Sequence, residues 1–164
     1  MVEQVWGGVE VGIKEAGPLR VACVSYSGPY EDIGRVLMDL FRWVLVNGGK
    51  VVSYPMVLFP PDDQGDPQEG VSFDACIPVQ PDSPITGDAH VKITEIQAVT
   101  VAFTRHHGSF STVGETYERI HAWIRDNGYR VAGRSRELYL TNPLEHSEED
   151  LRTEIQIPIE AVRH

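Results

Sequence analysis

The sequence has little of what several large classes of protein require. It contains only two cysteines among its 164 residues, which is too few for a disulfide framework, and their spacing fits no metal site. No apolar run approaches the roughly 20 residues that a membrane-spanning helix needs. The N-terminus also lacks the basic stretch, apolar stretch and cleavage site of a signal peptide. We therefore expect a cytoplasmic protein without a membrane association, in which Cys23 and Cys76 are small core side chains.

Positive charge is scarce as well. The chain has 14 lysines and arginines against 24 acidic residues, a formal net charge of -10. Nucleic acids are bound through clustered basic side chains, so direct contact with nucleic acid is not expected, whereas an acidic pocket would attract cations. The sequence has no glycine-rich phosphate loop and no nucleophile elbow. Its histidines also lack metal-ligand spacing, so neither a cofactor nor a metal is expected.

What the sequence does contain is an internal repeat. When the chain is shifted by 80 positions, Trp43 aligns with Trp123, and the Asn-Gly pair at 47–48 aligns with the pair at 127–128. Further identities join valine, isoleucine, glycine and proline positions along the whole repeat. Tryptophan, glycine and proline seldom coincide by chance, so the pattern predicts a tandem duplication.

Each copy is expected to form a strand–helix–strand–strand module. Repeat one covers residues 9–79 and repeat two covers residues 90–159, with a Pro- and Gly-rich linker at 80–89. Apolar spacings of three and four predict helices near 30–47 and 110–127, each ended by its Asn-Gly pair. The fold class is therefore α+β, with antiparallel sheets laid together about a pseudo-twofold axis and a central cleft between them. We expect residues 1–164 to form a single domain.

The two copies differ most in their last two strands. Strand alternation predicts that polar side chains of repeat two share the face turned away from the helix, at Glu137, Tyr139, Glu154 and Gln156. The matching positions of repeat one are Val57, Phe59, Asp74 and Cys76. An exposed antiparallel face routinely carries solvated side chains of this kind, and that alternative stays open from the pattern alone.

Aromatic residues near these carboxylates point to a ligand. Aromatic rings attract a large flat cation by stacking and cation–π interaction, and a carboxylate neutralises its charge. Trp43 and Trp123 lie just beside the apolar stripes of their helices, which predicts partial burial at the edge of a groove.

The sequence also resembles the GyrI-like small-molecule-binding family, which includes the effector-binding domains of AraC-type and MerR-type transcription regulators. The resemblance covers nearly the whole chain, and its strongest stretches are residues 106–110, 114–124, 127–129, 137–140 and 153–159. It implies the duplicated fold, a partly aromatic central cleft, and contact of Glu137 and Glu154 with a cationic or polar ligand. Together the pattern and the resemblance give a set of candidate ligand-binding residues: Glu137, Glu154, Tyr139, Trp123, Tyr117, Tyr26, Phe59 and His106.

The function expected from this resemblance is binding of small hydrophobic, cationic aromatic compounds, for sensing or sequestration. The segment 1–8 is too short for a helix-turn-helix, which predicts a stand-alone binder, monomeric or homodimeric. Two alternatives stay open from the relatives. One is a hydrolase of cyclopropane-type electrophiles, in which Glu137 or Glu154 would activate water. The other is a protein that inhibits DNA gyrase by direct contact.

Overall fold

The computed structural model describes residues 2–6, 9–60, 71–142 and 145–162. Its backbone divides into two compact units, which do not follow the order of the chain. Unit 1 comprises Met1–Ala16 together with Val99–His164, and unit 2 comprises Gly17–Ala98. Each unit contains an antiparallel sheet and one long helix, as an α+β fold requires.

The described residues form ten strands and two α-helices. In chain order they are β1 (Val2–Trp6), β2 (Val9–Ala16), β3 (Leu19–Gly28), α1 (Ile33–Val46), β4 (Met56–Leu58), β5 (Val71–Pro78), β6 (Lys92–Ile96), β7 (Val99–His107), α2 (Val113–Asp126), β8 (Tyr129–Val131), β9 (Arg136–Tyr139) and β10 (Arg152–Ala161). In unit 1 the strand order is β1-β2-β7-β10-β9, with β8 paired to the end of β10; in unit 2 it is β4-β5-β3-β6.

The first strand of each repeat lies in the unit formed by the rest of the other repeat. Strand β2 pairs with β7, and β6 pairs with β3. The two pairings keep the 80-residue offset: Gly12 lies opposite Phe103, and Lys92 lies opposite Cys23. The compact units therefore differ from the sequence repeats at their first strands, which are so alike in sequence that their exchange leaves no signal in the pattern.

The helices lie where the apolar spacing predicts them. Each follows a short 3-10 turn, at Tyr30–Asp32 and Phe110–Thr112. Each ends at the predicted Asn-Gly pair, where Gly48 has a φ of 84° and Gly128 a φ of 83°. This left-handed conformation favours glycine because a Cβ would be strained there. Neither helix exceeds 14 residues, and no helix in the described part of the chain is long and apolar enough to cross a bilayer.

Helix α2 covers an apolar face of the unit 1 sheet. The core between this helix and the sheet contains Trp123, which is 2% exposed and stacks on Tyr129 with ring centroids 6.0 Å apart. The expectation of a half-buried Trp123 at a groove edge is therefore wrong, because α2 packs against β2, β7 and β8 together. The buried members of this cluster are Val11, Ala102, Ile120, Trp123, Ile124, Ile155, Ile157 and Ile159.

The exchanged strand makes a testable prediction about which residues share a core. Val11 and Ile120 are both 0% exposed and belong to the same cluster. Ile120→Ala should lower the free energy of unfolding by about 2–5 kcal/mol, and Val11→Ala by less, because a valine loses fewer buried atoms. In urea denaturation the double variant should deviate from additivity by about 0.5 kcal/mol or more.

The matched control replaces Val44 of α1, which is equally buried but belongs to unit 2. Val11→Ala combined with Val44→Ala should be additive within about 0.5 kcal/mol. Coupling of Val11 to Val44 but not to Ile120 would contradict the exchange.

Candidate functional site

The register between β9 and β10 decides which polar side chains lie together. Residues directly opposite each other in an antiparallel pair point to the same face. Glu137 lies opposite Ile155, whereas Glu154 lies opposite Leu138. Since Ile155 belongs to the core under α2, Glu137 faces α2 and Glu154 faces the other way. The prediction that Glu137, Tyr139, Glu154 and Gln156 share one face is therefore wrong. Glu137 and Tyr139 lie on the face that α2 covers, whereas Glu154 and Gln156 lie on the opposite face. Alternation fixes faces within a strand but not between strands.

Glu137 lies at the centre of a buried hydrogen-bonded cluster. Its side chain is 1% exposed. The hydroxyl of Tyr117, on α2, donates to Oε2 at 2.6 Å, and the hydroxyl of Tyr139 donates to Oε1 at 2.9 Å. Each carboxylate oxygen thus accepts a hydrogen bond from a phenol, and Tyr139 is itself buried. The result is a carboxylate enclosed with two aromatic side chains beneath a helix.

The matching positions of unit 2 carry only apolar side chains. Leu37, Val57 and Phe59 stand 80 positions before Tyr117, Glu137 and Tyr139. Val57 lies opposite Ala75 in β5, just as Glu137 lies opposite Ile155. Leu37 and Val57 are buried, and Phe59 stacks on Tyr30 with ring centroids 6.4 Å apart. The same backbone arrangement therefore holds a polar cluster in one unit and an apolar one in the other.

Glu154 is also buried, at 3% exposed, and two basic side chains lie beside it. Lys14 Nζ lies 2.7 Å from Oε2, and Arg105 Nε lies 3.3 Å from Oε1. The side-chain amide of Gln156 donates to Oε2 at 2.6 Å. Lys14 Nζ also lies 4.1 Å from the ring centroid of Phe103. This face therefore carries a carboxylate beside an aromatic ring, but the ammonium group of Lys14 already contacts both.

The surroundings of Glu154 change its titration. Burial alone raises the pKa of this carboxyl group, but hydrogen bonds from Lys14 and Gln156, the charge of Lys14 and a hydrogen bond from Arg105 together lower the pKa below its usual value. A carboxylate with a lowered pKa stabilises the folded protein at neutral pH, and this contribution is lost as the pH falls through the folded-state pKa.

His106 connects the end of β7 to the start of α2. Its Nε2 lies 2.9 Å from the carbonyl oxygen of Ser109, which can only accept, so Nε2 carries the proton. Its Nδ1 lies 2.7 Å from the hydroxyl of Thr116, with which it shares a second hydrogen bond. His106 is 6% exposed, and both ring nitrogens are used in holding this loop against the helix.

Tyr26 occupies the position of His106 in unit 2 and has a similar task. Its hydroxyl donates to Asp32, just before α1, and this hydrogen bond raises the pKa of Tyr26. The guanidinium of Arg35 lies 5.9 Å from the Tyr26 ring centroid. Both residues tie a strand end to the following helix, although one is a phenol and the other an imidazole.

The structure thus brings together three of the predicted site residues: Tyr117, Glu137 and Tyr139. Glu154 lies on the other face of the sheet, Trp123 lies in the core, His106 holds a loop, and Tyr26 and Phe59 belong to unit 2. Sequence reasoning missed Lys14 and Arg105 as partners of Glu154. Lys14 could not be found from the pattern, because β2 belongs by sequence to the other repeat.

Unit 1 also contains a cleft of about 590 Å³ beside β2, β7 and the start of α2. Side chains of both charge signs line it, including Glu10, Arg105, Glu115 and Arg119. Glu137 is not among its lining residues. Within the described ranges, no group of three or more His, Cys, Asp or Glu side chains could hold a metal ion.

A family model for the GyrI-like small molecule binding domain matches residues 10–160. The chain belongs to this family. No curated protein matches it. The resemblance seen in the sequence is confirmed, and the C-terminal domain of EcmrR is among the proteins of similar fold.

Proteins with solved structures share the fold of this chain, among them EcmrR, a hydrolase from Listeria innocua and SAV2435. EcmrR in its DNA complex has a TM-score of 0.83 at 20% identity and covers 94% of this chain, which spans 58% of that chain. The EcmrR C-terminal domain alone has a TM-score of 0.80 at 20% identity, and the match covers 99% of this chain and 100% of that chain. A hydrolase from Listeria innocua gives 0.66 at 14% identity, covering 92% and 91%. SAV2435 bound to tetraphenylphosphonium gives 0.54 at 15% identity, covering 92% and 93%.

The Glu154 cluster predicts that its two partners are not equivalent. Lys14→Met should lower the free energy of unfolding at pH 7 by about 3 kcal/mol, because the buried carboxylate then keeps Arg105, which is largely exposed, as its basic partner and Gln156 as its neutral one. Glu154→Gln should cost less, about 1–2 kcal/mol, since Lys14 and Arg105 can then reach water. Lys14→Met should also move acid unfolding to higher pH, because the folded-state pKa of Glu154 rises. Urea denaturation at several pH values measures both effects.

The control is Arg130→Met, which breaks an ion pair with Glu160 whose side chains are 67% and 51% exposed. It should change stability by less than about 1 kcal/mol. An equal cost for Lys14→Met and Arg130→Met would mean that Glu154 is solvated.

Proposed function

We propose that this protein binds hydrophobic aromatic organic cations, with Glu137 as the anionic group and the rings of Tyr117 and Tyr139 as aromatic contacts. One observation carries this proposal. A fully buried carboxylate, hydrogen-bonded by two tyrosines, occupies positions that are apolar in the other unit.

Energetics support a functional reading of this cluster. Burying a carboxylate costs several kcal/mol in desolvation, and replacing such polar groups by well-packed apolar ones is often neutral or stabilising. Unit 2 shows that the same framework accepts leucine, valine and phenylalanine at these positions. The framework therefore accepts apolar side chains at these positions, and a buried ionisable group that stands where an apolar one would pack is a candidate binding group.

The chemistry of the cluster suits a cation with aromatic substituents. The two tyrosine hydroxyls orient the carboxylate, and their rings offer stacking and cation–π contacts. Charge attraction in a partly desolvated site is worth on the order of a few kcal/mol. A polar ligand without positive charge would gain the contacts with the rings but not this attraction.

Glu137 is a better candidate than Glu154, although the sequence predicted both. A ligand cation at Glu154 would have to displace the ammonium of Lys14, which lies 2.7 Å away, and would compete with Arg105. We therefore assign Glu154 a structural role and expect its replacement to alter stability rather than affinity.

The comparisons support the ligand class at the level of fold. SAV2435, which shares the fold, was solved with tetraphenylphosphonium bound, a cation with four aromatic rings. EcmrR, which also shares it, was solved in a complex with DNA. We propose that this chain senses or sequesters such a cation.

A hydrolase is the second candidate, because a Listeria innocua protein described as a hydrolase has the same fold. In that case Glu137 would accept a proton from water that attacks an electrophilic ring. Inhibition of DNA gyrase by direct contact is a third candidate function, and substitutions at Glu137 would not affect it.

The repeat itself is best explained by tandem duplication, which we propose here. It is supported by strand pairings that match position by position at the 80-residue offset in both units. A pseudo-twofold axis, a central cleft and a cytoplasmic location stay predictions. The choice between monomer and homodimer also stays open, with Leu45 and Val46 exposed at the end of α1.

The first test of the binding site compares two glutamine variants. Glu137→Gln should weaken tetraphenylphosphonium binding ten- to hundredfold, about 1.4–2.8 kcal/mol, because the charge attraction is lost while the shape is kept. Binding of uncharged triphenylphosphine oxide should be nearly unchanged. Glu154→Gln is the matched control and should change affinity for the cation by less than roughly threefold. Isothermal titration calorimetry measures all four affinities.

Equal losses for the charged and the neutral ligand in Glu137→Gln would indicate a packing role. A loss confined to Glu154→Gln would move the site to the other face of the sheet. Turnover of a cyclopropane alkylator by the unaltered protein, abolished in Glu137→Gln, would support the hydrolase.

The second test replaces the polar cluster of unit 1 with the apolar side chains found at the matching positions of unit 2. The triple variant Tyr117→Leu, Glu137→Val, Tyr139→Phe should have the same free energy of unfolding as the unaltered protein, or a free energy higher by about 1–4 kcal/mol. The reason is that unit 2 already packs these side chains. The triple variant should no longer bind tetraphenylphosphonium measurably. Urea denaturation and calorimetry give the two readouts, and a marked loss of stability would show that the cluster serves the fold instead.

A further inference from the structure

The two cysteines of the chain face each other across a pair of strands. Cys23 in β3 lies directly opposite Cys76 in β5. Their Sγ atoms are 2.6 Å apart. Both are reduced in this structure, and the full sequence contains only these two. Each is therefore the other's only disulfide partner within the chain.

The backbone holds this pair in a geometry that a disulfide can adopt. Directly opposite residues in antiparallel strands have Cα atoms about 4.5 or 5.5 Å apart, and both values lie within the range of about 4.4–6.8 Å found for disulfides. The pairing of β3 with β5 extends without interruption from Val21 opposite Pro78 to Gly28 opposite Val71. On the same face the neighbouring pair is also joined, since Ser25 donates to Asp74 at 2.7 Å. The sulfurs are thus aligned by the sheet, and closing the bond needs no change of register.

We propose that Cys23 and Cys76 form an oxidation site, which a hydroperoxide converts into a cross-strand disulfide. Cys23 is partly exposed, whereas Cys76 is 1% exposed. The Cys23 thiol loses its proton and the thiolate attacks the peroxide, which breaks the O–O bond and gives a sulfenic acid, while the leaving hydroxide or alkoxide takes up a proton to become water or an alcohol. The Cys76 thiol loses its proton in turn, its thiolate attacks the sulfenic sulfur, and the S–S bond forms as hydroxide leaves and takes up that proton as water. The two sulfurs supply the two electrons that reduce the peroxide.

This site is separate from the proposed cation site. It belongs to unit 2, and its face of the sheet is opposite to that of the neighbouring pairs Ala22–Ile77 and Val24–Ala75. The matching residues of unit 1 are Phe103 and Gln156, which cannot form such a bond. The disulfide would join residues 53 positions apart and would restrict the unfolded chain, so it should stabilise the protein.

The test uses the whole protein and hydrogen peroxide at low molar excess. Thiols titrated after denaturation should fall from two to none, and the intact mass should fall by two hydrogens, with the protein monomeric on a non-reducing gel. The oxidised protein should melt roughly 5–15 °C higher than the reduced one, from the loop-closure effect and the usual size scaling. Dithiothreitol should reverse both changes.

Cys23→Ser and Cys76→Ser serve as controls, each with one thiol and no melting shift on oxidation. The proposal is overturned if both thiols persist in the native protein, or if oxidation adds oxygen atoms without losing the two hydrogens. It is also overturned if the disulfide forms only between chains, or if the cross-linked protein melts no higher than the reduced one. None of these readouts depends on cation binding.

Discussion

The placement of the two candidate carboxylates in unit 1 depends on the register of β10. This strand pairs with β7 on one side and with β9 on the other. Its alternation sends Thr153, Ile155 and Ile157 under α2 and sends Glu154 and Gln156 to the opposite face. Through the pairing with β9, the same register places Glu137 under the helix. A shift by one residue would exchange the two faces, bury Leu138 under α2 in place of Glu137, and dissolve the cluster with Tyr117.

Two carboxylates at similar burial therefore have different physical roles. Glu154 is compensated by Lys14, Arg105 and Gln156, which lower its pKa and make it part of the sheet's own ion-pair network. Glu137 accepts hydrogen bonds from two phenols, which orient its carboxylate. Comparison with Val57 shows that this position can be filled without polar groups. This difference between the units is the reason that we propose Glu137 as the ligand-binding carboxylate.

Much of this could be predicted from the sequence. The repeat offset, the two helices with their Asn-Gly ends, the family, and the contrast between Glu137 and Val57 all follow from residue patterns. Those patterns are local or depend on comparing two aligned segments, so they need no knowledge of the tertiary fold.

The remaining features depend on contacts between distant segments. The exchange of β2 and β6 is invisible because the two strands have nearly the same pattern, and with it the contact of Lys14 with Glu154 was missed. The grouping of Glu137 with Glu154 was wrong because register between strands is set by the whole sheet. Trp123 was expected at an edge because its position on the helix was judged without the strands that lie beneath it.

The most direct test of the cation site is a crystal structure of the protein with tetraphenylphosphonium. The account predicts the phosphonium within about 6 Å of an aromatic centroid, the usual range of a cation–π contact. That ring should be Tyr117 or Tyr139, with the Glu137 carboxylate facing the cation and the ion pair between Lys14 and Glu154 intact. A cation bound at Glu154 with Lys14 displaced, or bound in contact with neither glutamate, would contradict it.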